Sequence, residues 1–266
     1  MINEKFTARR PLGVTAAPIE NAQPERALPT RRERTRAATI DEIKGIALRL
    51  MHEQGTTDVR FSDIAREMGM TAPALYRYFA DRDELLTAMI VDAFDDLGAV
   101  VAAARDDVPV GDPTGRLFAV AQAYRSWAHS EPQRFALILG MPVPGYAAPE
   151  EGPTTEAARR AMFQLKSLFF DAADQGVLRP PLLRYVHESL RTCFDAEAAT
   201  KPSGEPALPA DTFQACLHSW AALHGFTCLE AYGHLDFLPP EARDALFAST
   251  IRLVATTAGL PLPASA

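Results

Sequence analysis

Residues 60–86 read RFSDIAREMGMTAPALYRYFADRDELL, and the punctuation of this stretch decides the fold. Ser62 is placed to cap a short helix over 63–68, with Ile64, Ala65 and Met68 turned inward. Gly69 ends that helix, because the sharp turn there needs a residue at ease with positive φ. Thr71 is placed to cap another short helix over 72–79, and Pro73 falls in its first turn, where a missing N–H is tolerated. Two short helices joined by about three residues, with a glycine in the turn, form a helix-turn-helix.

Outward from this motif the pattern stays helical. Asp81 and Glu84 make a cap, and Leu85, Leu86, Met89, Ile90, Ala93, Phe94, Leu97, Val100 and Val101 follow as one apolar stripe. That helix, expected over 82–104, is too apolar along one face to stand alone and connects the small N-terminal domain to the rest. Upstream, Thr30 and Glu33 form a capping box for a helix over 31–53, with Ile40, Ile43, Ala47, Leu50 and Met51 at helical spacing and Gly55 to close it. Residues 1–29 have neither helical nor strand period and contain Pro11, Pro18, Pro24 and Pro29, so they read as a disordered arm.

Downstream the pattern is helix after helix. Asp112-Pro113 opens one and Ser130-Glu131-Pro132 restarts another. The segment 140–153, broken by prolines and glycines, reads as a long loop. Further helices are expected over 155–175, 181–199, 211–232 and 240–258, with a break at 200–209. No stretch alternates as a strand would. The fold class is all-α, with about ten helices: a three-helix DNA-binding domain containing the helix-turn-helix (about 59–79) within residues 30–95, and a larger helical domain over 96–266.

Composition bounds the function. The chain has 266 residues, of which 47% are hydrophobic and 23% charged, an ordinary mix for a globular protein. No apolar run approaches the roughly 18 residues of a membrane span, and no apolar segment near the N-terminus resembles a secretory signal. Three cysteines, Cys193, Cys216 and Cys228, suit a reducing compartment better than a disulfide framework. A cytoplasmic location is expected, without a membrane partner. Residues 1–86 balance to +1 and residues 87–266 to −8, making up the net −7. An acidic body joined to a neutral end with an arginine cluster is compatible with one end meeting a polyanion.

The 60–86 stretch closely resembles the DNA-binding signature of the tetracycline-repressor (TetR) family of bacterial transcription regulators. The matching residues are Ile64-Ala65, Gly69, Thr71, Leu75-Tyr76, Phe79 and Leu85-Leu86, and the likeness extends over about residues 32–95. A helix entering the major groove needs small residues at its N-terminal end, which Thr71-Ala72-Pro73-Ala74 supplies. Hydroxyls on Thr71, Tyr76 and Tyr78 and charges on Arg77 and Arg82 can reach phosphates or bases, and the amide end of the helix beginning at Ser62 can meet a phosphate. The resemblance implies that Thr71, Pro73, Ala74, Tyr76 and Tyr78 face DNA. Arg82 stands where the family usually has lysine, and Tyr78 replaces its commonest histidine. Leu75 and Phe79 are expected in the core. Arg31, Arg32, Arg34 and Arg36 lie near the duplex in such domains, or form a solvated basic turn.

The C-terminal part is similar to the subclass of TetR effector and dimerisation domains marked by Trp-x-x-x-His-Gly, here Trp220, His224 and Gly225. With Cys228, these residues are expected at a homodimer interface. His224 and Cys228 supply two metal ligands where zinc needs three or four, so no metal and no cofactor is expected. An effector pocket is expected among Tyr124, Trp127, Phe163, Phe169, Phe170, Tyr185 and Phe194, with His187 and Arg191 to orient a polar ligand. The resemblance implies a ligand-responsive homodimeric regulator, most often a repressor, reading a palindromic operator in double-stranded DNA. A ligand-independent architectural dimer is the alternative. No Gly-x-Ser-x-Gly elbow, phosphate loop, dinucleotide fingerprint or His-Glu-x-x-His pair points to an enzyme.

Overall fold

The computed structural model describes residues 30–57, 59–148, 151–199 and 207–262. The expected arm over 1–29 lies outside them. The described residues contain ten helices and no strand: α1 (Arg31–Gln54), α2 (Phe61–Glu67), α3 (Ala72–Leu75), α4 (Arg82–Asp106), α5 (Pro113–Ser130), α6 (Pro132–Leu139), α7 (Pro153–Asp174), α8 (Glu188–Ala199), α9 (Ala210–Ala231) and α10 (Pro240–Ala258). The chain divides into two compact units, residues 1–39 and 40–266.

In the first unit the described residues open α1. The capping box forms reciprocally: the Glu33 carboxylate accepts from the Thr30 amide (2.7 Å) and hydroxyl (2.9 Å), and the Glu33 amide donates to the Thr30 hydroxyl at 3.3 Å. Those donors hold the Glu33 carboxyl below the usual range. Arg31, Arg32, Arg34 and Arg36 are all exposed.

In the second unit the helices enclose two hydrophobic cores. The first, which we call the head, gathers Ile43, Ile46, Ala47, Leu50 and Met51 of α1 with Ile64, Leu75 and Phe79, and with Leu85, Leu86, Met89 and Ile90 of α4. The second, the body, contains Leu97 and Val101 of α4 with apolar residues of α5, α7, α9 and α10. Asp81 caps α4 by accepting from the Glu84 amide at 2.8 Å, and Asp112 caps α5 through Gly115 at 2.8 Å. A proline in the first turn starts α3, α5, α6, α7 and α10.

Three elements depart from the pattern read in the sequence. α3 ends at Leu75, and Tyr76–Tyr78 form a turn in which the amides of Tyr78 and Phe79 both donate to the Leu75 carbonyl. α8 begins at Glu188 rather than near 181. Residues 181–187 are not helical because the Arg179 and Leu182 amides are taken by the Gly259 and Thr257 carbonyls, at 2.8 and 2.9 Å. The segment after α6 is irregular as expected, yet Val143 is buried in the head core.

The body also buries charge. Arg125 of α5 makes a two-pronged pair with Glu230 of α9 (2.6 and 2.5 Å) and reaches Asp244 of α10 at 2.8 Å, while His129 adds a contact to Glu230 at 2.9 Å. The guanidinium lies 4.8 Å from the centre of the Phe247 ring. The Glu230 side chain is only 3% exposed, and the donors from Arg125 hold its carboxyl at a pKa of about 2. That carboxylate therefore stabilises the fold above its unfolded pKa near 4.5, and the contribution fades as pH falls from there toward 2. Removing one partner strands the other without a counter-charge. Glu230→Gln is expected to cost about 3 kcal/mol at pH 7 and much less at pH 3, read by urea unfolding at the two pH values.

Candidate nucleic-acid interface and the cavity behind it

Ile64, Ala65, Leu75 and Phe79 anchor the helix-turn-helix in the head core. The turn between α2 and α3 passes through Gly69 at φ +62°, a left-handed conformation that strains any residue carrying a Cβ. Anchoring the apolar side of α2 and α3 leaves the other side to solvent. Ser62, Thr71, Pro73, Tyr76 and Arg77 are exposed, and Ala72, Tyr78 and Arg82 are half-buried. Ala74 is buried, so it supports α3 from within instead of facing outward. Ser62 is not the cap of α2, which starts one residue earlier with Arg60 in the cap position. Thr71 does occupy the cap position of α3, but its hydroxyl makes no capping bond. Tyr76 is 57% exposed, with its ring 5.2 Å from that of Phe61. The role of Phe61 as the support of this tyrosine could not be read from helical spacing, because the contact crosses the turn.

Behind the head, α4, α5, α7 and α9 flank a partly open cavity of about 40 Å³, space for two or three waters. Phe94, Leu97 and Val101 of α4 form one wall, and Val120, Ala121 and Tyr124 of α5 another. Ala161, Met162, Gln164 and Leu165 come from α7, Trp220 and Leu223 from α9, and Leu139 from the end of α6. Of the aromatic residues expected to line a pocket, only Tyr124 does so. Trp127 is buried in the body core and donates its indole N–H to Asp96 at 2.8 Å. Phe169 is fully buried core. Phe163, half exposed, pairs with Phe170 at 6.4 Å on the far side of α7 from Ala161 and Leu165. Tyr185 and His187 are exposed on the segment tied to α10, Arg191 is exposed on α8, and Phe194 packs on Phe213 at 4.7 Å.

The Trp-x-x-x-His-Gly residues, half-buried, make contacts within the subunit. Trp220 and His224 stack at 4.9 Å, nearly parallel, and turn toward α5. There the Tyr124 hydroxyl meets His224 Nδ1 at 2.8 Å, and Cys228 Sγ lies 3.4 Å from His224 Nε2. Burial pushes the His224 pKa down and those of Cys228 and Tyr124 up, so all three are neutral. This face is occupied within the subunit. The outward stripe of α9, at four-residue steps, is instead Leu217, Ala221, Gly225 and Leu229, of which only Gly225 was among the expected interface residues. Among the described residues, no group of three or more His, Cys, Asp or Glu could hold a metal ion, and no helix is long and apolar enough to cross a membrane.

Known proteins share this arrangement. Residues 46–89 match the family model of bacterial regulatory proteins of the tetR family, and residues 117–254, more than half of the chain, match the tetracyclin repressor-like C-terminal domain. The chain belongs to the TetR family of transcriptional regulators. HTH-type transcriptional regulators of Mycobacterium bovis and Mycobacterium tuberculosis are 34% identical to it over 194 residues, covering 72% of this chain and 80% of theirs. The crystal structure of the regulatory protein SCO4313 superposes with a TM-score of 0.64 at 33% identity, covering 85% of this chain and 98% of that one. A protein from Rhodococcus sp. RHA1, 22% identical with a TM-score of 0.59, shares the fold. Residues 61–79 thus hold the DNA-binding helix-turn-helix of a TetR regulator, and the mycobacterial relatives are named HTH-type transcriptional regulators.

Nothing lies within 4 Å of a Cβ built on Gly69, so backbone strain is the whole cost of a side chain there. Gly69→Ala is expected to lower stability by about 1 kcal/mol, measured by denaturant unfolding.

Proposed function

We propose that this TetR regulator is a cytoplasmic repressor that binds a palindromic operator as a homodimer and leaves it when a small molecule enters the cavity. The observation that carries the reading is the double membership of α4. Its first half packs Leu85, Leu86, Met89 and Ile90 into the head core, and its second half lines the cavity with Phe94, Leu97 and Val101. A second route runs through α6 and the loop after it: Leu137 and Val143 are buried in the head core, Leu139 lines the cavity, and Tyr146 meets the Thr87 hydroxyl at 2.9 Å. With room for only a few waters between the side chains, a larger occupant that is to be buried there has to displace these walls. A shift of α4 or α6 carries the head with it, and two heads whose spacing no longer matches one turn of DNA lose specific affinity.

The second copy is assigned to the outward faces of the packed helices α9 and α10, which expose Leu217 and Leu229 on one and Leu246 and Leu253 on the other. Two copies joined there would cover this surface from water. Thr71, Pro73, Tyr76 and Arg77 are assigned to DNA contact on their exposure beside the anchored turn, with Tyr78 and Arg82 at its margin.

Two measurements test the reading. Fluorescence anisotropy with the DNA flanking the protein's own coding region should show saturable binding that resists a scrambled competitor. Tyr76→Ala should weaken that binding about tenfold or more with unchanged dimerisation; wild-type affinity in this variant would remove Tyr76 from the interface. Leu229→Glu combined with Leu253→Glu should convert a dimer into folded monomers in sedimentation equilibrium. A dimer that survives both charges would place the interface elsewhere.

A further inference from the structure

The chemistry of the cavity wall restricts its occupant, given the effector reading proposed above. No Asp, Glu, Lys, Arg or His belongs to the lining. Gln164 is the one amide, and it is already engaged: its Oε1 accepts from Arg105 at 2.8 Å, and its Nε2 donates to the Arg160 carbonyl at 3.3 Å. The Arg105 guanidinium is in turn shared among Gln164, Ser167 and Asp106. The body's buried ions are paired, Arg125 with Glu230 and Arg116 with Asp171, and none of them belongs to the wall. An ion entering the cavity would shed its hydration and find no counter-charge, which costs several kcal/mol.

Two polar groups of the lining remain, the Trp220 indole N–H, which can only donate, and the Tyr124 hydroxyl. The Tyr124 hydroxyl is the single hydroxyl of the lining, and it ends a chain running through His224 to Cys228. With all three groups neutral, the protons of this chain can run in either direction. Tyr124 then offers a lone pair in one arrangement and a hydrogen in the other, and a hydroxyl, which both donates and accepts, suits both. Room for such a guest can come from Met162 and Trp220, which are only half-buried; Met162 in addition carries a flexible thioether chain.

We infer that the cavity between α4, α5, α7 and α9 takes a neutral, largely apolar molecule bearing at most one hydroxyl, and rejects carboxylates and ammonium ions of the same size. The chain has only two tryptophans, and they differ in a useful way: Trp220 lines the cavity, and Trp127 does not. Emission from Trp220 therefore reports on occupancy.

The test titrates the full-length protein, without DNA, with 1-octanol, octanoate and octylammonium, reading melting temperature and tryptophan emission. Expected is a concentration-dependent rise in melting temperature and an emission change with 1-octanol, with the two ions at least about tenfold weaker. Trp220→Phe should lose the emission change and keep the thermal response. Equal or tighter binding of either ion overturns the inference, as does absence of any response to 1-octanol. An emission change that persists in Trp220→Phe also overturns it, because Trp127 would then be reporting a site elsewhere. Operator binding by the same ligand-free samples is measured separately. Its loss would remove the regulator reading and leave the cavity result standing, whereas loss of octanol binding alone would do the reverse.

Discussion

The apolar stripe of α4, from Leu85 to Val101, is the constraint on which the rest depends. One core cannot cover a stripe of that length, so the chain builds two, and the same helix closes both. Each large side chain buried along it contributes about 1.5–3 kcal/mol, enough that neither half can be released without unfolding its domain. The helix passes rigidly from the DNA-binding head to the cavity. Where α7 crosses it, Gly98 lets the backbones close up: a Cβ there would lie 3.4 Å from the Ala161 Cα.

The second unit separates its polar and apolar needs. Charge is buried where helices must be held in register: Arg125, Glu230 and Asp244 tie α5, α9 and α10 together, and Arg116 ties α5 to Asp171 of α7 at 2.7 Å. Such pairs hold geometry because breaking one leaves an uncompensated ion. Around the cavity the lining is mostly apolar; of the two polar chains beside it, Tyr124–His224–Cys228 is uncharged, and the other runs from Gln164 back to Arg105. The side chains that face the cavity are held there mostly by packing, which they can rearrange at modest cost, while the helices behind them are tied by bonds such as Arg105 to Gln164 and Tyr124 to His224. A cavity meant to open belongs in that part of the body.

Much of the head, and the start of α1 in the first unit, was legible in the sequence because the signals are local. The Thr30–Glu33 and Asp81–Glu84 caps, the glycine at the turn, Leu75 and Phe79 in the core and the stripe of α4 each follow from spacing within a few residues. Errors began where a distant group competed. The 181–187 stretch carries a usable helical pattern, but carbonyls at the end of α10 capture its amides. Ala74 looked outward on a recognition helix of eight residues and is buried on one that ends at Leu75. Of the aromatic residues expected around a pocket, composition could not separate Tyr124, which lines it, from Trp127, Phe163 or Tyr185, which do not.

By itself the sequence determined the all-α class, the helix-turn-helix and its family, because caps, turns and apolar periodicity act over one or two turns of helix and leave their mark in neighbouring residues. Only the tertiary structure decided which face of α9 looks inward. Trp220 and His224 are one helical step from the outward stripe through Gly225, and both faces carry apolar residues. What turns them is the Tyr124 hydroxyl on a helix about a hundred residues earlier, which offers His224 a buried partner that the outward direction lacks. Spacing along one helix cannot register a contact made across the core.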